Sequence, residues 1–127
     1  MILFHDRAFI DSVHAEQLKL HGGAPGLRDE GMLESALARP QQKHHYGVND
    51  IFELAAAYLF GIAKNHPFVD GNKRTAFVAA DLFLYFNGYS LEAEPFDVIA
   101  FVLAVAAGEI DEDGAARFFR DFCVPIG

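Results

Sequence analysis

Two apolar runs at helical spacing, parted by a short polar stretch that holds a proline and a glycine, constrain this chain more than any other feature. In the first run Ile51, Leu54, Ala55, Tyr58, Leu59 and Ile62 recur every three or four residues, which places them on one face of an α-helix. Asp50 stands where an N-cap belongs, with Glu53 three residues on in a capping-box arrangement. Pro67 disfavours helical geometry at His66, so the helix is expected to end there. The second run, Thr75 to Phe86, reads as another helix that stops at Asn87-Gly88. Residues 66–71 are therefore a loop between two central helices, and the second helix begins around Gly71 to Arg74.

Chemistry gathers at that junction. The stretch His66-Pro-Phe-Val-Asp-Gly-Asn-Lys-Arg-Thr-Ala76 carries an imidazole, a side chain able to take up a proton near neutral pH, and Asp70, a hard oxygen ligand of the kind Mg²⁺ prefers. Gly71 lets the backbone come close to a ligand, and Lys73 and Arg74 add positive charge beside it. A helix N-terminus exposes unpaired N–H groups and the positive end of the macrodipole, so this turn is an anion site before any side chain is counted. Taken singly, a histidine before a proline is an ordinary loop residue and a Lys-Arg pair in a first turn is an ordinary solvated face. Their clustering argues otherwise, because cations set against the dipole call for a bound anion. Phe68, an aromatic flanked by loop, reads as a core anchor that fixes the loop. Asn72 fits two roles, N-cap or ligand contact.

At these residues the sequence resembles the Fic/Doc superfamily, whose Fic pattern is His-x-Phe-x-[Asp/Glu]-Gly-Asn-Gly-Arg-x-x-Arg. The match falls on His66, Phe68, Asp70, Gly71, Asn72 and Arg74. Lys73 stands where that pattern has its second glycine and Phe77 where it has its second arginine, and both departures look like the Doc (death-on-curing) branch. The segment His21-Gly-Gly-Ala-Pro-Gly-Leu-Arg-Asp-Glu-Gly31 and the following Leu33-Glu-Ser-Ala-Leu-Ala-Arg-Pro40 resemble the N-terminal half of Doc proteins, so most of the chain is covered.

The resemblance implies an all-α, Fic-type helical bundle over residues 1–127 as one domain, with the motif loop between its two central helices. It implies that His66 is the general base for a target hydroxyl and that Asp70 holds Mg²⁺ against the phosphates of ATP. Gly71, Asn72 and Lys73 would then supply the backbone donors of an anion hole, with the Lys73 and Arg74 side chains on phosphate oxygens. These roles agree with the chemistry read from the residues, since phosphate transfer is mostly positioning and electrostatic stabilisation. In Fic nucleotidyl transferases the second arginine grips the distal phosphates and leaves the α-phosphate open, which Phe77 cannot do. The Doc branch instead implies a kinase toxin that presents the γ-phosphate, modifies elongation factor Tu, halts translation and is restrained by an antitoxin. A nucleotidyl transferase and a catalytically silent binding module are the alternatives.

Composition fits a small intracellular domain: 127 residues, 52% of them hydrophobic, with 13 phenylalanines, are enough for a real core. The single cysteine, Cys123, excludes an internal disulfide and reads as a buried or terminal thiol. A net charge of −8 argues against nucleic-acid binding, and no apolar segment is long enough to cross a bilayer. Met1-Ile-Leu-Phe-His-Asp lacks a basic segment ahead of its short apolar stretch, so no signal peptide is expected and the cytoplasm is the default location. Six histidines occur without zinc-ligand spacing, and no nucleophile elbow is present.

The remaining pattern predicts helices over residues 8–20, 30–39, 50–65, 73–87, 95–107 and 112–123, with only Ile2–Phe4 and Tyr89–Leu91 as short extended pieces. Asp29 is a plausible cap for the second helix and Pro40 is expected to close it. Pro40 to Asn49 then forms a loop, with Lys43, His44, His45 and Tyr46, that either flanks the active site or is an ordinary polar connection. Asp81 lies seven residues from Arg74, on roughly the same helix face, either paired with a cation or histidine or partly exposed. Ser12 and Glu16 imitate the inhibitory Ser/Thr-x-x-x-Glu helix of Fic-type enzymes, but Gln17 breaks the pattern, and we read the likeness as coincidence.

Overall fold

A computed structural model describes residues 1–127. Its elements are α1 (Arg7–His21), α2 (Glu30–His45), α3 (Ile51–Asn65), α4 (Asn72–Phe86), β1 (Tyr89–Leu91), α5 (Pro95–Ala106), α6 (Glu112–Phe122) and β2 (Cys123–Pro125). Each helix that begins after an aspartate is capped by it. Asp6 accepts from the Phe9 N–H, Asp29 from Met32 and Asp50 from Phe52, which satisfies donors that have no partner inside the helix. Only the Asp50 half of the expected capping box forms; its carboxylate also accepts from the Glu53 N–H at 3.3 Å.

Helix α3 is the hub, packed against α2, α4, α5 and α6. Nine of its residues are buried, among them Leu54, Tyr58, Leu59 and Ile62, and these join Phe83 and Leu84 of α4 and Phe119 of α6 in one core. Gly61 allows α2 and α3 to touch: a Cβ there would sit 3.3 Å from the Ala36 Cα. With Asn65 donating to the Met32 carbonyl at 2.9 Å, these contacts fix the two helices antiparallel.

Three expectations need correction. Pro40 does not close α2, which runs on to His45. A proline inside a helix costs the bond to the carbonyl four residues earlier, here Ala36, but Pro40 is fully buried and its packing offsets that loss. The helix ends instead where Tyr46 N–H bonds the Gln42 carbonyl and Val48 N–H that of Lys43. Lys43 and His44 thus belong to the last turn of α2, with Lys43 held by Glu112 of α6 at 2.6 Å. Because α2 and α3 are antiparallel, this end lies beside the start of α3, about 22 Å along the helix from the motif loop. Residues 40–49 therefore do not flank the site.

Finally, Ile2–Phe4 forms no strand. The Asn87 side chain takes the place of a neighbouring strand, accepting from Leu3 N–H at 2.8 Å and donating to the Leu3 carbonyl at 3.0 Å. Tyr89–Leu91 does form a strand, β1, paired antiparallel with β2 in a two-stranded ribbon, a minor departure from an all-α bundle. No helix is long and apolar enough to cross a membrane.

Candidate active site

Helix α3 ends on His66, which adopts a left-handed conformation (φ 53°, ψ 52°) and is the one non-glycine residue with positive φ. That turn sends the chain back across the helix end. Gly71, also left-handed at φ 78°, then starts α4 without a side-chain cap. Between them Asn72 fastens the loop: its Oδ1 accepts from Phe68 N–H and its Nδ2 donates to the Phe68 carbonyl, both at 2.9 Å. Asn72 is therefore neither an N-cap nor an exposed ligand contact through its side chain, which is buried among loop atoms. Phe68 is buried in the core.

A second loop clasps the first. Val69 N–H bonds the Gly26 carbonyl at 3.0 Å, Leu27 and Phe68 form an isolated bridge, and the Arg28 and Asp29 N–H groups both bond the Pro67 carbonyl. The Arg28 guanidinium donates to the carbonyls of Asn65 and His66 at 2.8 and 2.6 Å, a cation set at the negative end of α3. From α1, His14 stacks on Phe68 with ring centroids 3.8 Å apart, and its Nε2 lies 2.9 Å from the Asp70 carbonyl. The sequence reading did not single out His14 or Arg28.

The Asp70 carboxylate is exposed and held by backbone: Oδ1 accepts from Gly71 N–H at 2.9 Å and Oδ2 from Ala24 N–H at 3.2 Å. These two donors, Gly71 first, hold its pKa below the ordinary aspartate value, so it is ionised at neutral pH. Each oxygen accepts one hydrogen bond and keeps a lone pair for a cation. No group of three or more His, Cys, Asp and Glu residues could enclose a metal. A lone fixed carboxylate suits Mg²⁺, which takes one or two carboxylates and fills its remaining positions with water and substrate phosphates.

Because the Gly71 N–H is spent on Asp70, the row of free donors shifts one residue along from the expected one. The first intrahelical bond of α4 is Thr75 N–H to the Gly71 carbonyl, which leaves the N–H groups of Asn72, Lys73 and Arg74 without a helix partner. Beside them the Lys73 side chain is exposed and Arg74 half-buried, and neither forms an ion pair. His66 is exposed on the same loop, with Nδ1 3.2 Å from Asn72 Nδ2. Next to Lys73 and Arg74 an apolar groove of about 390 Å³ opens between α1, α4 and α5, lined by Phe77, Val98, Ile99 and Leu103 among others.

Two other groups lie apart from this chemistry. Asp81 is half-buried in α4 with no cation or histidine bonded to it, and burial pushes its carboxyl up. Cys123 in β2 has its thiol pushed up to about 11, by burial first and then by Asp81 and Glu92, so it stays protonated and is not a nucleophile.

Residues 4–84 match the Fic/DOC family. The chain belongs to that family. It is 36% identical over 110 residues, 86% of either chain, to "Protein kinase doc" of Escherichia phage P1. It is 50% identical over 80 residues to "Toxin Doc" of Mycolicibacterium smegmatis, covering 61% of this chain and 60% of that protein. The fold is that of BepC, a VirB-translocated effector of Bartonella tribocorum crystallised with AMPPNP. That structure matches 96% of this chain and 76% of its own, at a TM-score of 0.58 and 17% identity.

Proposed function

We propose that this family member is a Doc-like toxin that moves the γ-phosphate of ATP to a hydroxyl side chain of a protein target, elongation factor Tu, and so blocks translation in the cytoplasm. The observation that carries the reading is the pairing, within one loop, of an ionised Asp70 with three unpartnered N–H groups at the start of α4. Such a row, backed by Lys73 and Arg74, stabilises charge on phosphate oxygens without reorganising. The curated relatives, a kinase and a toxin by name, support the same reading.

In the reaction the target hydroxyl oxygen forms a bond to the γ-phosphorus as the bond to the β,γ-bridging oxygen breaks, ADP leaves, and the hydroxyl proton passes to His66. Asp70 would hold Mg²⁺, which when bound neutralises charge on the transferring phosphate. Asn72 Nδ2 can only donate, so in the resting loop it occupies the lone pair of His66 Nδ1 and the neutral ring carries its hydrogen on Nε2. Proton uptake at Nε2 therefore requires this exposed ring to turn from Asn72 and carry its hydrogen on Nδ1. Phe77 lines the groove instead of reaching phosphate, which favours γ- over α-phosphate transfer. We read the groove, where Ile99 and Leu103 are 59% and 52% exposed beside Lys73, as the side from which an antitoxin covers the site.

The test is a translation extract incubated with the protein and ATP labelled at either the γ- or the α-phosphate. γ-Label on a protein of the size of elongation factor Tu is expected. α-Label would establish a nucleotidyl transferase, and no label with growth arrest retained in His66→Ala would establish a binding module.

A further inference from the structure

The bed on which Asp70 and Gly71 rest comes from α1, more than fifty residues away in sequence. His14 is 7% exposed and lies flat on Phe68, with an interplanar angle of 9°. A carbonyl only accepts, so the 2.9 Å contact with the Asp70 carbonyl places a hydrogen on His14 Nε2. One turn on, Leu18 completes the bed: a Cβ on Gly71 would meet Leu18 Cδ2 at 3.3 Å and His14 Cδ2 at 3.7 Å. A Cβ on Gly23 would meet Leu18 at 3.0 Å and the Asp70 carboxylate at 2.9 Å. Both α1 side chains thus lie against the turn that carries the carboxylate, and Leu18 also lies against the glycine next to Ala24, whose N–H holds that carboxylate from the other side.

We infer that His14 is a positioning residue for this site, fixing through the Asp70 carbonyl the angle at which the Asp70 carboxylate and the first N–H groups of α4 meet a magnesium-bound nucleotide. The inference rests on the reading of the loop as a nucleotide site. Its physical basis is a division of labour on one ring. Stacking on Phe68 is non-polar contact area, which any flat ring supplies. The hydrogen bond is directional and fixes the peptide that joins the carboxylate to the anion-binding turn. Loss of stacking should loosen the fold, whereas loss of the bond alone should leave the fold and misplace the carboxylate. A misplacement of about an ångström is enough to cost a large factor where donors must converge on one ligand.

Three variants separate these effects. His14→Phe keeps the ring and removes the donor. His14→Gln keeps a donor at nearly the same reach and removes the ring. His14→Ala removes both. Affinity for Mg·AMPPNP by calorimetry and the thermal midpoint are read for each, with KM for Mg·ATP and kcat measured once a target is in hand. His14→Phe is expected to keep a midpoint near that of the parent and to bind Mg·AMPPNP about tenfold more weakly, about 1.4 kcal/mol. His14→Gln is expected to show a lower midpoint with affinity near that of the parent, and His14→Ala to lose both. Parental affinity in His14→Phe would overturn the positioning role while leaving the nucleotide site standing. Loss of affinity that follows the midpoint in every variant, without rescue by glutamine, would reduce His14 to a structural residue. Failure of the parent chain to bind Mg·AMPPNP would overturn the reading of the site and this inference with it.

Discussion

Asn72 and Phe68 exchange two hydrogen bonds, each 2.9 Å long, so that a side-chain amide does for the motif loop what a neighbouring strand does in a sheet. Both Phe68 backbone groups lie in a buried residue and find their partner in this one side chain. Asn72→Ala would strand them, at a cost of about 1–3 kcal/mol for each unsatisfied group. We expect about 2–4 kcal/mol less stability in urea denaturation and no phosphate transfer. A loss under 0.5 kcal/mol would mean that water replaces the amide, with the bonds contributing about nothing net.

His66 holds a left-handed backbone conformation that a side chain disfavours. A left-handed backbone costs a side chain about 1–2 kcal/mol that glycine does not incur. His66→Gly should therefore fold at least as stably as the parent while losing transfer to the target. A variant less stable by more than about 1 kcal/mol would show that the imidazole contributes packing that outweighs its backbone strain.

His5 makes the fold sensitive to mild acid. Its Nε2 donates to the Ala79 carbonyl at 2.8 Å, its ring lies among Phe9, Tyr58 and Phe83, and burial holds its pKa below the ordinary value. The folded state thus prefers the neutral ring, while the unfolded chain takes up its proton near pH about 6.5. The contribution is fully present above that pH and is lost as the pH falls from there through the lower folded value. Denaturation midpoints measured from pH 7.5 to 5 should decline, and His5→Gln should flatten the decline. An identical slope in the two proteins would place the acid sensitivity elsewhere.

Asp81 has the opposite sign. Burial raises its folded pKa and nothing bonded to it compensates, so its ionised form opposes folding at neutral pH. Asp81→Asn should raise the thermal midpoint at pH 7, and the gain should fade as the pH approaches the unfolded aspartate value near about 3.9. A lower midpoint at pH 7 would reveal a cation partner.

Thr75 Oγ1 is the one buried side-chain polar atom without a hydrogen-bond partner. The isosteric Thr75→Val should be neutral or up to about 1 kcal/mol more stable, since it removes an orphan and keeps the shape. A loss greater than about 1 kcal/mol would show that the hydroxyl is bonded in solution.

The central helices, the Asp29 and Asp50 caps and the position of the motif loop were legible because each is a local event: a 3.6-residue period, a cap within three residues, a proline after His66. Pro40 misled because its full burial in the folded chain, absent from any local pattern, outweighs a broken helix bond. The motif residues were legible in kind but not in detail. Which N–H groups remain free depends on the Asp70 side chain turning back to Gly71, a choice of rotamer that spacing does not encode. His14 and Arg28 were invisible for a simpler reason: each acts on backbone carbonyls 56 and 37–38 residues away, and a carbonyl leaves no trace in a sequence.

The meeting of Gly61 with Ala36 carries a consequence for anyone redesigning this scaffold. The two positions form one steric unit, since an added methyl at 61 lands on the Ala36 main chain, which cannot rotate away as a side chain would. Substitutions at the pair should be strongly non-additive. Since α3 ends four residues later and hands the chain to His66, widening that contact should tilt the His66 turn. Altered versions of this scaffold should be sought by varying residues 36 and 61 together, with the readout taken at His66, five residues beyond Gly61.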